Sequence, residues 1–279
     1  MDITFEPLSP HTGVAVEGVD LSQPIADDLR QELYRAFLKA SVLVVRGQDL
    51  NPDQTLAAAR LFGEPFPQHN TRFQLKDNPE IHYISNQDRY PTGERYIPGA
   101  GYHTDHSNAA VPPKATILHA KELPSAGGDT QFVNMGHAYE TLDAATRAEI
   151  DGLMAEHVYQ ASHSARKLVG LTAKRKQEIE ASVIHPLVRT HGETGRRALY
   201  INPIRIERIV DMADEQALPL LERLLAHATQ PAHDYRHRWQ IGDFVMWDNR
   251  NLLHKANADY DMAERRYLYR LMLKGERPA

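Results

Sequence analysis

Residues 114–135 read KATILHAKELPSAGGDTQFVNM. Two runs of strand-forming residues, 114–123 and 129–135, flank PSAGG, where a proline and two glycines mark a turn. The same grammar recurs toward the C-terminus. VIHPLVRTH (183–191), ALYIN (198–202), HDYRHRWQIGDFVMWDN (233–249) and ERRYLYRLMLKG (264–275) are short β-rich runs separated by turns. One helical pattern, ADEQALPLLERLLAHAT (213–229), interrupts them. Such a series, without regular strand–helix alternation, predicts a mainly β fold, a sandwich or jelly-roll barrel with helices packed outside.

The N-terminal part supplies the flanking helices. ITFEPLS (3–9) and GVAVEGVDL (13–21) read as short strands, and SVLVVRG (41–47) as a buried one. Between them, residues 26–40 carry Leu29, Leu33, Phe37 and Leu38 on one helical face, with acids in the first turn. NPDQTLAAARLFG (51–63) starts with the cap candidate Asn51 and Pro52, which predicts a second helix. GHAYETLDAATRAEIDGL (136–153) reads as helical, 64–112 as loop-rich, and 155–184 as polar and weakly patterned.

The composition narrows the function. With 279 residues, 42% of them hydrophobic and 25% charged, the chain can bury a large core. It has no repeat or linker that divides it, so one domain over 1–279 is expected, with insertions near 64–102 and 155–184. A net charge of −5 offers no basic field to phosphates, so neither a nucleic-acid nor a membrane partner is expected. The longest apolar runs are far shorter than a bilayer span, and the N-terminus lacks the apolar core of a signal peptide, which favours the cytoplasm. There is no cysteine, so a metal here must be held by histidine, carboxylate and water.

GAGYHTDHSN (99–108) concentrates such ligands. On a strand entering a loop, His103 and Asp105 share a face and His106 points away. Alone, this His-x-Asp pair reads as a hydrogen-bonded loop. His254, in WDNRNLLHKANADY (247–260), follows a strand and a tight turn and can supply a third ligand. Two histidines and a carboxylate on one face leave the opposite positions open, as in non-haem Fe(II) oxygenases. Farther on, Arg266 and Arg270 face one side of a strand, whereas Arg265 faces out. Two inward arginines in an apolar strand need anions to meet them, and a planar guanidinium fits a carboxylate.

The series HTD, GGDT, WDNRNLLH and RRYLYR resembles the taurine dioxygenase / 2,4-dichlorophenoxyacetate dioxygenase family of Fe(II)- and 2-oxoglutarate-dependent enzymes. GVAVEGVDLSQP, VLVVRGQDLNPDQ, ELPSAGGDTQF and THGETGRRALYIN extend the likeness nearly end to end. The resemblance implies a double-stranded β-helix (jelly-roll) core. It implies Fe(2+) held by His103, Asp105 and His254, and 2-oxoglutarate whose distal carboxylate meets Arg266 and the Thr130 hydroxyl. It also implies a substrate anion near Arg270, and a reaction with O2 that yields succinate, CO2 and an oxidised C–H bond. Tyr96, Tyr102, His69, His82, Asn86 and Asn108 sit in segments leading into this site. Each alone reads as structural; His69, Asn86, Tyr102 and Asn108 are the substrate-binding candidates. In this family the insertion matching 155–184 forms a lid. A small carboxylate, sulfonate or sulfate ester is the expected substrate, and a homo-oligomer (dimer or tetramer) the expected assembly. Two alternatives stay open. One is the same cofactor chemistry used for desaturation or isonitrile formation. The other is a Zn(II) hydrolase or isomerase on the same triad, which leaves Arg266 and Thr130 without a purpose. Halogenation needs the carboxylate ligand replaced, and Asp105 is present.

Overall fold

The computed structural model describes residues 3–66, 71–89, 93, 99–164 and 182–279. Strands β1 (Thr4–Pro7), β2 (Val14–Glu17), β3 (Val42–Val45), β4 (His82–Ser85), β5 (Ala115–Glu122), β13 (Phe244–Asp248) and β15 (Tyr267–Leu273) build one large sheet. Their order is β1-β2-β3-β13-β5-β15-β4. A second sheet, in the order β12-β6-β14, contains β6 (Thr130–Asn134), β12 (Asp234–His237) and β14 (Leu252–Ala256). The PSAGG turn therefore does not close a hairpin within one sheet. It carries the chain from β5 in the large sheet to β6 in the small one.

Side-chain alternation sorts the two faces of the large sheet. Val42, Val44, Leu118, Ala120, Val245, Trp247 and Leu268 meet Phe132, Tyr235 and Leu252 of the small sheet in one buried cluster. The opposite face, with Leu43, Val45, Ile117, Phe244, Met246 and Leu271, packs against helices α1 (Asp27–Ala40) and α2 (Pro52–Arg60). Helix α1 buries Leu33 and Phe37 as its periodicity predicts. Helix α2 opens with a reciprocal capping box, the Asn51 side chain on the Gln54 N–H and the Gln54 side chain on the Asn51 N–H.

Three expectations give way. The helix read over 136–153 is two, α3 (Met135–Glu140) and α4 (Ala144–Ile150). Thr141 turns its hydroxyl back onto the Ala138 and His137 carbonyls, and Asp143 caps the next helix by accepting from the Thr146 N–H at 2.7 Å. The loop-rich stretch 64–112 contains β4, which pairs with β15 at the edge of the large sheet. Residues 102–106, expected to end a strand, instead form an isolated bridge at His103 and a turn at Asp105 and His106. At the ends of 155–184, strands β7 (Met154–His157) and β8 (Val183–Pro186) pair with each other, β11 (Ile206–Ile209) pairs with β7, and β9 (Val188–Thr190) pairs with β10 (Arg197–Leu199); the lid expectation for 165–181 falls outside the described residues. Helix α5 (Asp214–Ala228) forms where expected. Among the described residues no helix is long and apolar enough to cross a membrane.

Candidate active site

His103 and His254 face each other across an isolated antiparallel bridge. The His103 N–H donates to the His254 carbonyl at 3.0 Å, and the His254 N–H donates back at 2.8 Å. The imidazoles are thereby held side by side, with ring centroids 4.2 Å apart. Two residues on, Asp105 lies 3.8 Å from His103 Nε2 through Oδ1 and 3.9 Å from His254 Nε2 through Oδ2. Among the described residues this is the one group of three such side chains whose ligand atoms converge within 4.8 Å. His106 departs from the group; its backbone takes a left-handed φ of 47°.

Each member is held from behind. His103 Nδ1 lies 2.8 Å from the Gly101 carbonyl, which can only accept, so Nδ1 carries the proton and the Nε2 lone pair faces the centre. Thr116 on β5 donates its hydroxyl to Asp105 Oδ2 at 2.6 Å and accepts from Asn249 Nδ2 at 2.9 Å. Trp247 Nε1 donates to Asn249 Oδ1. The loop itself is clamped: Thr104 donates to the Asn249 carbonyl, and Asn202 Nδ2 donates to the Thr104 carbonyl and to Ser107 Oγ. Trp247 and Phe132 wall His254, with centroids 4.6 and 6.4 Å from its ring. Burial pushes the Asp105 carboxyl up, but the Arg270 guanidinium and the imidazoles of His254, His103 and His106 outweigh it, so the group stays well below the ordinary carboxylate range. Burial, with His103 and Arg270 adding to it against the pull of Asp105, holds His254 neutral. A carboxylate and neutral imidazoles are the protonation states a metal requires.

The two arginines occupy different places. Arg266 immediately precedes β15, and Arg270 lies within it, opposite Leu118 of β5 and His82 of β4. Arg266 Nε donates to the Gly128 carbonyl at 2.9 Å, and its backbone N–H donates to Asn86 Oδ1. The side chain is buried, Nη2 has no hydrogen-bond partner, and no described carboxylate forms an ion pair with it. Burial lowers its pKa to about 10, with Tyr260 and Asp129 only partly opposing this. Thr130 Oγ1 accepts from Trp239 Nε1 at 3.0 Å, and the same indole lies 6.0 Å from the Arg266 guanidinium carbon. Both turn glycines are at φ +74°, and a Cβ on Gly128 would come within 3.2 Å of Arg266 Cδ and Nε. The close approach of the turn to the arginine therefore needs glycine there. Arg270 Nη2 donates to Asp105 Oδ1 at 2.8 Å. Arg265 pairs outside with Glu122 at 2.7 Å.

The profile of the taurine catabolism dioxygenase TauD, TfdA family matches residues 4–272. The chain belongs to the TauD/TfdA family. It is 34% identical to the alpha-ketoglutarate-dependent 2,4-dichlorophenoxyacetate dioxygenase of Cupriavidus pinatubonensis, over 97% of each chain. A taurine dioxygenase structure from Burkholderia xenovorans superposes with a TM-score of 0.83 at 35% identity, covering 99% of this chain and 92% of that one. AAD-2 in complex with Mn(II) and N-oxalylglycine superposes with a TM-score of 0.84 at 32% identity, covering 100% and 99%.

This TauD/TfdA enzyme is a 2-oxoglutarate-dependent non-haem iron dioxygenase, using Fe(II), 2-oxoglutarate and O2. The residues fit these groups. Two converging imidazoles and a carboxylate suit an open Fe(II) site, and a buried guanidinium with an unpartnered N–H suits a dicarboxylate's far end.

Of the substrate-binding candidates, His69 lies outside the described residues, as does Tyr96. Asn86 is spent on the backbone: Oδ1 accepts from the Arg266 N–H and Nδ2 donates to the Glu264 carbonyl. Tyr102 packs on a separate cluster beneath the Lys255 ammonium, 4.5 Å from its ring, and burial together with Asp234 raises its pKa to about 12. Asn108 is half-buried, with Oδ1 lacking a partner. Sequence reasoning missed Thr116, Asn249, Asn202 and Trp239. Thr116 stands within a strand run and Asn249 within the DNRN turn; their link to Asp105 spans three elements.

Proposed function

We propose that this dioxygenase oxidises a C–H bond of a small organic anion, a carboxylate, sulfonate or sulfate ester, within one jelly-roll domain spanning 1–279. His103, Asp105 and His254 hold the iron; Arg266 and Thr130 take the distal carboxylate of 2-oxoglutarate. When bound, these groups supply an oxidant able to break a C–H bond, coupled to decarboxylation of 2-oxoglutarate to succinate.

The chain's own residues do the positioning. The Gly101 carbonyl sets the His103 tautomer, Thr116 orients Asp105, and Asn86 with Gly128 aims Arg266. Arg270 lies within hydrogen-bond reach of a metal ligand, and a substrate anion drawn to it brings its carbon skeleton to the iron. Phe132 and Trp247 keep the far side of His254 dry. The observation that carries the reading is Arg266, a buried guanidinium with an unpartnered N–H in a chain that also brings together a His-Asp-His triad. A Zn(II) hydrolase has no use for it. We extend the reading to Asn108 as a pocket residue, to His69 and the insertions near 64–102 and 155–184 as pocket and lid, to a cytoplasmic location and to a homo-oligomer.

The test is incubation with Fe(II) and 2-oxoglutarate under air, against a panel of carboxylates, sulfonates and sulfate esters. Succinate should appear in step with O2 uptake, should need Fe(II), and should rise with at least one anion. Absence of succinate throughout the panel would refute the reading.

A further inference from the structure

Strand β4 lies at the edge of the large sheet beside β15, and His82 stands directly opposite Arg270. Residues opposite one another in an antiparallel pair put their side chains on the same face. Two residues along, Ile84 stands opposite Leu268, and both belong to the cluster between the sheets, so this face is the inner one. His82 is 4% exposed, and its Nε2 is buried without a hydrogen-bond partner. A buried nitrogen with nothing to bond costs free energy in the folded protein, so such an atom calls for a missing partner.

We propose that His82 is the second donor of the substrate's anion subsite: its Nε2 and the neighbouring Arg270 guanidinium together receive one singly charged anionic group. This rests on the reading of Arg270 given above and adds a residue and a charge class to it. Burial, reinforced by Arg270, holds His82 down to about 4, so the imidazole is neutral near pH 7 and contributes a hydrogen bond without a charge. That fixes the charge the site accepts. Counting only the metal-site carboxylate and the two arginines assigned to ligands, Arg266 and Arg270 stand against Asp105, which leaves one positive charge. Fe(II) and the doubly negative 2-oxoglutarate cancel, so one anionic charge on the substrate brings the pocket to neutrality. A dianion such as a phosphonate leaves an excess negative charge in a buried site, where it is expensive.

The experiment uses the protein loaded with Mn(II) and N-oxalylglycine, which cannot turn over. Calorimetry then measures binding of 2,4-dichlorophenoxyacetate, hexanesulfonate, hexyl sulfate and hexylphosphonate, the last at alkaline pH where it carries two charges. At least one monoanion should bind, and the phosphonate at least about tenfold more weakly than the sulfonate of equal length. In His82→Leu the best monoanion should weaken by about tenfold or more, with N-oxalylglycine affinity unchanged within about twofold. His82→Gln keeps an N–H donor and should recover most of the loss. Anion affinity unchanged in His82→Leu overturns the proposal; so does an equal loss in Leu and Gln, or a phosphonate that binds as well as the sulfonate. If Mn(II) and N-oxalylglycine bind but no monoanion does, the subsite is refuted while the dioxygenase reading stands. If Mn(II) and N-oxalylglycine fail to bind, the dioxygenase reading itself falls, and the subsite with it.

Discussion

Replacing Thr116 with valine removes one hydroxyl from a fully buried position and preserves its shape. Two bonds go with it. Asp105 Oδ2 loses a 2.6 Å donor, and Asn249 Nδ2 loses its acceptor. A hydrogen bond to a charged group contributes about 1.5–3 kcal/mol, and the stranded amide donor costs about 1–3 kcal/mol more. The first loss falls on the metal site. Without Thr116, Arg270 alone still bonds the carboxylate, and it pulls on Oδ1, the oxygen nearer His103. The carboxylate is then free to turn toward Arg270. Outer partners of metal ligands typically account for roughly 10–100-fold in metal affinity, so the Mn(II) dissociation constant of Thr116→Val should rise within that range. Both losses bear on the metal-free fold and should together appear as a drop of about 2.5–6 kcal/mol in urea unfolding without metal. Anaerobic Mn(II) titration followed by electron paramagnetic resonance separates the two effects. An intact Mn(II) affinity in a destabilised Thr116→Val would refute the claim that the threonine orients the ligand.

Three further outcomes follow from the same geometry. Arg266→Gln should weaken 2-oxoglutarate by well over tenfold, read from the KM for 2-oxoglutarate, because a bidentate charge-assisted pair is lost; an unchanged KM contradicts the anchor. Asn86→Ala strands the Arg266 N–H and the Glu264 carbonyl, and should cost about 2–4 kcal/mol of stability while raising the same KM severalfold; a KM that stays fixed while the protein destabilises makes Asn86 purely structural. Burial is the main cause that holds His82, His119 and His157 at about 4, about 4 and about 3, below the 6.5 of an unfolded histidine. As pH falls, the unfolded chain therefore takes up these protons first. Stability is full above about pH 6.5 and declines toward about pH 4, by up to about 1.4 kcal/mol per pH unit for each histidine. Urea unfolding at a series of pH values checks this, and a flat profile over that window contradicts it.

The sequence carried most of the chemistry because the chemistry is local in spacing. His103 and Asp105 stand two residues apart in one short segment, and Arg266 and Thr130 stand in motifs whose neighbours are fixed by turns. The folded chain was legible where hydrophobic period and caps agree, as in α1 and in the Asn51–Gln54 capping box. It was not legible where long-range pairing decides. LLHKA carries two leucines followed by polar residues, and becomes β14 only because β6 pairs with it. HYIS lies in a loop-rich stretch and becomes β4 by adding to the edge of β15. The bulge in the β5–β15 pairing, where Lys121 is skipped between Tyr267 and Leu268, has no local signature either. Thr116, Asn249 and Trp239 act through partners distant in sequence, which periodicity does not register.

The central claim is that His103, Asp105 and His254 hold an iron that binds 2-oxoglutarate. Anaerobic addition of Fe(II) and then 2-oxoglutarate to the purified protein tests it by visible absorption. The account predicts a weak metal-to-ligand charge-transfer band that needs both additions and disappears in His103→Ala, Asp105→Ala and His254→Ala. A band and turnover retained in His254→Ala, or no band in the unaltered protein, would contradict it.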